Sequence, residues 1–339
     1  MVIFIKSFNR PYYLERCIRS IYLNIVGAEL KIIVLDDGTQ PKYLKKIQTL
    51  FPEVRIDKSP FYDSKTAQIR KFIDNDSPIG KLEIPTEFWL SSIRKENADH
   101  FILLEDDMWF TDPIDLNSIM KLIHNNNMQL LKFFHFGNKR LISGELTQLA
   151  NGINSIKPKL LLENPFLFKQ LIIHNRFKIL SILGRMGLYD WHEKINYYTI
   201  YNVAGAIFSR DYYEYLWKGF SGLVDEDAQL IKAVEYYHKH KDKICYGVYT
   251  KDVLRTSFSS SATNMFQDVR LNVFTYNHLL NEAWFENRFE VMDGYPGDIA
   301  ENQISLILQK HNHENASPAE WRKWSKRFSA QFEAVGHAI

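Results

Sequence analysis

The chain has 339 residues, 45% of them apolar, which is enough for one large α/β domain or two ordinary ones with a packed core. Lys and Arg number 42 against 40 Asp and Glu, and this near-neutral balance gives no reason to expect nucleic acid as the main partner. The two cysteines, Cys17 and Cys245, cannot build a disulfide framework and lack the paired spacing of a zinc site.

The first 110 residues alternate short apolar runs with helical patterns. The predicted strands are 2–5, 31–37, a short one near 54–56, and 101–105, and the predicted helices are 11–24, 41–50, 66–74 and 85–97. This alternation predicts an α/β fold with a Rossmann-like central sheet that is mixed but mostly parallel and is flanked by helices. In such sheets, ligands bind beyond the carboxyl ends of the strands.

Polar clusters follow three of these predicted strands. They are residues 6–10 (KSFNR), 36–38 (DDG) and 105–107 (EDD). Each cluster alone is typical of a turn. Because the fold brings all three loops to one edge of the sheet, we expect them to form a common site there.

The third cluster places three adjacent carboxylates, Glu105, Asp106 and Asp107, at the end of an apolar strand. Three such charges repel one another and cost desolvation energy, so a positive charge should offset them. A divalent metal that carries a phosphorylated ligand is the leading candidate, because carboxylate oxygens suit Mg²⁺ or Mn²⁺.

The second half of the chain begins with a predicted helix and strand over 116–135, and a closing helix is predicted from Ser317. Between them, residues 153–188 form a basic, amphipathic insertion in which Glu163 is the only acid among six cations. Two interpretations of this insertion stay open. It is either a helical subdomain that caps the sheet or a surface that approaches anionic lipid or a lipid-linked acceptor.

The stretches VIFIKSFNRPYYLERCIRSI, VLDDGT, FWLSSIRKENADHF and ILLEDDM resemble the nucleotide-binding half of GT-A fold glycosyltransferases. The likeness extends to bacterial inverting enzymes and to the N-acetylglucosaminyltransferase I group, and it covers residues 1–112. The resemblance implies that Asp107 is the ligand of Mn²⁺ or Mg²⁺ and that Asp106 lies near the ribose. It also implies nucleotide contacts in the first two loops, from Ser7, Asn9, Arg10 and Asp37.

The same resemblance extends to residues 202–234, where Glu226-Asp227 precedes a helix with Leu230 at the spacing of the "ED" pair of inverting enzymes. It implies that Asp227 is the general base, with Glu226 and Asp225 as the next candidates. Basic contacts with the diphosphate are implied for Arg70 and for Arg255, which lies in a Ser-rich segment (253–264) expected to act as a mobile lid. Lys65 and the late histidine His278, a candidate metal ligand, are weaker matches.

The predicted organisation is a donor-binding half (1–112), an acceptor and catalytic half (113–290) and a helical tail (291–339). The expected activity is metal-dependent transfer of a sugar, with inversion, from a UDP-sugar to a saccharide or glycolipid acceptor. The alternatives are a sugar nucleotidyltransferase and a non-catalytic protein that binds nucleotide sugars. A phosphatase of the haloacid-dehalogenase type is not expected, because Asp36 and Asp37 are adjacent and point to opposite faces of the strand end.

The expected location is the cytoplasm, with the inner face of the membrane as a second site of action. Few cysteines are typical of a reducing compartment. The N-terminal apolar run is too short for a signal peptide, and no window approaches the roughly 20 apolar residues that span a bilayer.

Overall fold

A computed structural model describes residues 1–219 and 224–339. Strands alternate with helices through the first half, and helices dominate the C-terminal part. The strands are β1 Val2–Ser7, β2 Ile25–Val26, β3 Lys31–Asp36, β4 Arg55–Lys58, β5 His100–Glu105, β6 Met108–Phe110, β7 Ile114–Asp115, β8 Met128–Lys132, β9 Gly144–Gln148, β10 Ile153–Pro158, β11 Ala206–Ser209, β12 Cys245–Tyr249 and β13 Leu254–Thr256. The α-helices are α1 Pro11–Asn24, α2 Pro41–Leu50, α3 Tyr62–Asn75, α4 Thr86–Glu96, α5 Leu116–Asn125, α6 Pro165–Leu167, α7 Ile179–Arg185, α8 Arg210–Leu216, α9 Glu226–His240, α10 Val273–Phe285, α11 Glu301–His311 and α12 Pro318–Glu333.

The central sheet has nine strands in the order β4-β3-β1-β5-β11-β8-β12-β10-β9. Strands β4, β3, β1 and β5 run parallel, β11 is antiparallel to both of its neighbours, and β8 and β12 are again parallel. The predicted α/β fold with a mixed central sheet is therefore confirmed. Its first four strands form the parallel part, whose carboxyl ends face the same way.

The register of the parallel strands aligns the polar residues that follow the apolar runs. Ser7 lies beside Asp36, and Lys6 lies beside Glu105. The apolar residues of β3 and β5, and those of β1 after Val2, are buried, as is typical of parallel strands covered on both faces. Burial of the strands thus sets the register, and the register brings the three polar clusters to one edge.

A small second sheet pairs β6 with β13 directly after the acidic triplet. Within it, Arg255 lies opposite Trp109, and the backbone N–H of Ser257 donates to the carbonyl of Asp107 at 3.1 Å. This pairing brings a segment from late in the chain to the acidic end of β5.

The predicted basic insertion differs from the structure at its start. Residues Ile153–Pro158 form β10, which pairs with β9 and β12 in the central sheet, whereas the rest of the insertion is helical and irregular. The reason is pairing, since β10 is hydrogen bonded to β12 on one side and to β9 on the other, and Ile153 and Ile156 are buried. The predicted closing helix is confirmed as α12, in which Trp321 and Trp324 are buried.

Within residues 1–219 and 224–339, no helix combines the length and the apolar character that a membrane crossing requires. Residues 220–223, part of the predicted turn before the "ED" pair, lie outside the described residues.

Candidate active site at the carboxyl edge of the sheet

The three polar clusters meet around one cavity of about 170 Å³ at the carboxyl edge of the parallel strands. Its walls include residues from each predicted loop, namely Ser7 and Arg10 after β1, Asp37 after β3, and Glu105 and Asp106 after β5. The convergence predicted from the order of strands and loops is therefore present. Six polar residues of the three clusters share this one space, because Lys6 lines it as well.

Arg10 connects the two aspartates of the acidic triplet. Its guanidinium donates to Asp106 Oδ1 at 2.5 Å and to Asp107 Oδ2 at 2.6 Å, and all three side chains are almost completely buried. The other oxygen of Asp106 accepts from the backbone N–H of Phe8 at 2.9 Å. Both carboxylate oxygens of Asp106 therefore bond to the loop after β1 and hold it in place.

The positive charge that offsets this pair of carboxylates comes from the chain itself. Burial raises the pKa of Asp106, and the Arg10 charge opposes that rise. Burial also raises the pKa of Glu105 and lowers that of Lys6, and each charge partly restores the other. Arg10 and Lys6 thus supply positive charge beside the acids, in addition to the divalent metal that the sequence predicts.

A divalent cation still has one donor available at this site. Asp107 Oδ1 is buried and has no hydrogen-bond partner among the described residues. The described ranges hold no group of three His, Cys, Asp or Glu side chains that could bind a metal alone. One hard oxygen suits a cation that arrives with phosphate oxygens, because Mg²⁺ is commonly held by one or two carboxylates and the phosphates of a ligand.

The two aspartates after β3 have different roles. Asp36 is fully buried, and its Oδ1 accepts from the backbone N–H groups of Gly38 at 3.1 Å and Thr39 at 2.9 Å, so it forms the turn. Asp37 lines the cavity and accepts from Ser59 Oγ and from the ammonium of Lys65, which is itself buried. Of the two acids, Asp37 is the one that a bound ligand can reach.

Two of the residues predicted to contact the nucleotide-sugar donor line a different cavity. Asn9 and Arg70 border a space of about 510 Å³ between α2, α3 and α10, together with His278 and Glu282. Asn9 has a left-handed backbone (φ 54°), and it accepts hydrogen bonds from Asn281 on α10. Arg70 and His278 therefore border this cavity and not the one that Asp106 lines.

The N-terminus of α9 presents the predicted catalytic carboxylates. Asp225 caps the helix by accepting from the N–H of Ala228 at 3.0 Å. Glu226 accepts from the hydroxyl of Tyr198 at 2.6 Å, and Asp227 forms an ion pair with Lys194. Gln229 in the first turn of α9 and Glu105 line the same small cavity, so this helix end lies near the acidic triplet.

A small cavity of about 100 Å³ lies between α9 and the triplet. Tyr201 and Gln229 border it on the α9 side, and their side chains are hydrogen bonded to each other. Lys6, Trp89 and Glu105 border both this cavity and the first one, so these three side chains stand between the two spaces.

The Ser-rich segment after β13 is bonded to its surroundings, unlike the predicted mobile lid. Ser257 and Ser260 are buried, Ser257 bonds with Tyr13 at 2.6 Å and with Asp298 at 2.7 Å, and Ser260 bonds with Tyr12 at 3.1 Å. Arg255, by contrast, is exposed. Arg255 therefore projects from an anchored segment, and it remains a candidate contact for the diphosphate only from the rim of the site.

Sequence reasoning missed two aromatic side chains and one cation at the site. Trp89 lies under the Lys6 ammonium, 4.5 Å from its ring centre, and its indole nitrogen has no partner in the described part of the chain. Tyr198 and Lys194 hold the two acids of α9. No spacing in the sequence links these residues to the acids, because tertiary packing alone brings them together.

Comparisons with known proteins give a distant likeness of fold. No family model and no curated protein matches the chain. Solved structures similar to it include Staphylococcus aureus TarS residues 1–349, at 9% identity and a TM-score of 0.42, over 97% of this chain and 72% of that one. A TarS crystal structure in complex with UDP has the same identity and TM-score.

A second similar structure is glucosyl-3-phosphoglycerate synthase from Mycobacterium tuberculosis, in complex with Mn²⁺, UDP-glucose and phosphoglyceric acid. Its identity is 15% and its TM-score 0.39, over 84% of this chain and 79% of that one. TM-scores below 0.5 are too low to decide what this chain does, so its own site must support any functional conclusion.

Proposed function

We propose that this chain is a metal-dependent glycosyltransferase that moves a sugar, with inversion, from a UDP-sugar to a saccharide or glycolipid acceptor. The observation that carries the proposal is the convergence of Arg10, Asp37 and Asp106 on one cavity at the carboxyl edge of the parallel strands, where Arg10 also binds the neighbouring Asp107. This is where α/β sheets bind nucleotides, and acids held beside an arginine suit a ligand that brings both phosphate and metal.

The donor's nucleoside is assigned to the first loop and to Asp37, and its diphosphate to the neighbourhood of Arg10. Asp107 Oδ1 would hold Mn²⁺ or Mg²⁺, which stabilises negative charge on a leaving diphosphate when bound. Arg10 keeps Asp107 oriented, because it holds the second oxygen of that carboxylate. The cavity is smaller than the roughly 300–1,000 Å³ of common ligand sites, so donor binding must displace side chains such as Trp89.

The acceptor is assigned to the α9 side, where Tyr201, Gln229 and the helix N-terminus lie across the small cavity from Glu105. Inversion needs a carboxylate that takes the proton of the acceptor hydroxyl as the hydroxyl attacks. Asp227 is the proposed base and Glu226 the second candidate. Lys194 and Tyr198 orient these two acids before the acceptor arrives.

Substitutions at the two halves of the site test the assignment. Asp107→Ala should abolish transfer and also remove the Mn²⁺-dependent part of UDP binding. Asp227→Asn should lower kcat by about 10²- to 10⁴-fold and leave UDP binding unchanged, as expected for loss of a general base. Glu226→Gln is the matched variant that separates the two acids.

The measurements are calorimetric titration of UDP with and without Mn²⁺, and transfer rates from a panel of UDP-sugars chosen by thermal shift. The proposal would be contradicted if the Asp107→Ala protein and the double variant Asp227→Asn with Glu226→Gln both transferred sugar at the wild-type rate. UDP binding without any transfer or hydrolysis would favour the non-catalytic alternative. A nucleotidyltransferase is disfavoured, because the first loop KSFNRP lacks a glycine-rich phosphate cradle.

A further inference from the structure

A ridge of large apolar side chains projects from residues 177–188. These side chains are exposed and are not part of the packed core. Its members are Phe177, which is 86% exposed, and Ile179, Ile182, Met186 and Leu188, which are 37%, 55%, 64% and 68% exposed. Single exposed apolar residues are common on protein surfaces, but five of them within residues 177–188 form a concentration that marks a contact surface. We call these five residues the apolar ridge.

The helix α7 shows that the exposure follows a pattern. Leu180 is buried and Leu183 is packed against the core, so this face attaches the helix to the protein. Ile182 and Met186 follow Ile179 by three and seven positions, so these three residues share the opposite face of the helix. A surface helix normally carries polar residues there, whereas this one is apolar on both sides.

Cations flank the ridge. Arg176 and Lys178 sit on either side of Phe177, Arg185 ends α7, and Lys169 lies in the helical segment 168–173 that α7 contacts. None of these four cations forms an ion pair within the described ranges, and Glu163, the acid of this segment, is already paired with Lys241. The surface therefore combines unpaired positive charge with apolar side chains.

Unpaired positive charge beside exposed apolar side chains favours an anionic bilayer over a second copy of the chain as the partner of this surface. A second copy of the chain, related by a two-fold axis, would bring the four cations against the same four cations. An anionic bilayer, in contrast, meets both features at once, because apolar side chains enter the acyl boundary while Lys and Arg reach the lipid phosphates. Short apolar tips of this kind bind the interface without spanning it.

We propose that the apolar ridge and its flanking cations dock this protein on an anionic lipid surface. The docking does not depend on the proposed glycosyl transfer, but it has a consequence for it. The ridge is followed directly by the segment 191–200, which carries Lys194 and Tyr198 to the acids of α9. Docking would therefore present the acceptor side of the candidate site to a lipid-linked saccharide.

Co-sedimentation with vesicles of phosphatidylcholine, with and without phosphatidylglycerol, tests the proposal. The wild-type protein should bind the vesicles that contain phosphatidylglycerol, bind pure phosphatidylcholine much less, and be released by salt. Phe177→Ser with Ile182→Ser should weaken binding by roughly tenfold or more, from the lost apolar burial. Arg176→Glu with Lys178→Glu should weaken it by a similar factor, from the lost and reversed charge.

Matched controls come from exposed residues elsewhere. Leu306→Ser on α11 removes an apolar side chain that is 64% exposed, and Lys45→Glu reverses an exposed charge on α2, and neither should alter binding. UDP binding measured on every variant reports separately on the candidate active site. Because the wild-type comparison of lipids and salt needs no variant, the proposal stays testable if a variant fails to fold.

Three results would overturn the proposal. One is equal binding of the wild-type protein to neutral and anionic vesicles, or to neither. Another is unchanged binding of the ridge and charge variants. The third is a dimer in light scattering that Phe177→Ser with Ile182→Ser converts to a monomer, which would assign the ridge to a second copy of the chain.

Discussion

At the scale of single residues, Arg10 decides the character of the site. Two adjacent aspartates are buried almost completely, and a planar guanidinium spans them with one hydrogen bond to each. Such a pair gives less net stability than its geometry suggests, because three charges have been taken out of water. Removing one partner, however, leaves the other charges buried and uncompensated.

Arg10→Met should therefore lower the free energy of unfolding by about 3–5 kcal/mol, the usual cost of breaking a buried ion pair. Urea unfolding measures this change. Arg19→Met, which removes a partly exposed pair with Glu15, should cost less than about 1 kcal/mol. If the cost at Arg10 comes from unpaired carboxylates, adding Asp106→Asn and Asp107→Asn to Arg10→Met should recover much of it.

At the scale of secondary-structure elements, Lys132 links the end of β8 to the segment 191–200. This segment carries Lys194 and Tyr198, the partners of Asp227 and Glu226. Its ammonium lies in the interior and donates to the carbonyls of Leu141, at 3.0 Å, and Tyr198. Burial lowers the pKa of Lys132 from its ordinary value of 10.5 to about 7. The folded chain thus releases a proton that the unfolded chain keeps.

The sign of the resulting pH dependence follows directly. Between pH of about 7 and 10.5 the unfolded state binds one more proton at Lys132, so folding stability from this group rises as the pH rises. The wild-type protein should gain about 1.4 kcal/mol per pH unit relative to Lys132→Met across that window. Parallel urea unfolding of both proteins at neutral and mildly alkaline pH measures the gain, and a constant difference between them would contradict it.

The loop between the 191–200 segment and β11 depends on Gly205. Its backbone has φ of 72°, and an added Cβ would collide with the ring of Phe134. Both facts require glycine here, since other residues avoid this conformation and lack the space.

Gly205→Ala should destabilise the protein by on the order of 1–3 kcal/mol, because strain and overlap add. Gly187, which also has a positive φ (72°) but has nothing within 4 Å of an added Cβ, is the matched control. Thermal unfolding of Gly205→Ala and Gly187→Ala separates the overlap from the strain, and equal losses would remove the role given to Phe134.

At the scale of the whole molecule, the C-terminal helices complete the first loop and the site. Asn281 of α10 donates to the carbonyl of Asn9 at 3.1 Å, and Tyr13 of α1 donates to Asp298 at 2.8 Å. Trp324 of α12 donates to the carbonyl of Asn264 at 3.0 Å. The predicted division at residues 112 and 290 stays a prediction, and these contacts show that its three parts pack closely together.

Trp324→Ala should lower the free energy of unfolding by about 3–5 kcal/mol, because it empties a buried indole site and leaves a carbonyl without its donor. Lys326→Ala, on the exposed side of the same helix, should stay within about 0.5 kcal/mol of wild type. Denaturant unfolding followed by circular dichroism measures both. A small loss at Trp324 would mean that α12 is only loosely attached.

Apolar runs and turn residues were sufficient to predict the parallel strands, the helices between them and the acidic end of β5. These features depend on local pattern, because burial selects a period of two or 3.6 within a few residues of the chain. The same patterns placed Asp37, Arg10 and Asp106 at one edge, since parallel strands share a direction.

Only the tertiary structure decided how those charges are used. It placed Arg10 between Asp106 and Asp107, Lys194 on Asp227, Tyr198 on Glu226 and Arg70 in another cavity. Each pairing joins parts of the chain that only packing brings together, and the energy of a charge depends on the neighbours and burial it finds there. The sequence by itself thus determined where the acids end a strand, whereas packing determined which of their oxygens remain free to bind.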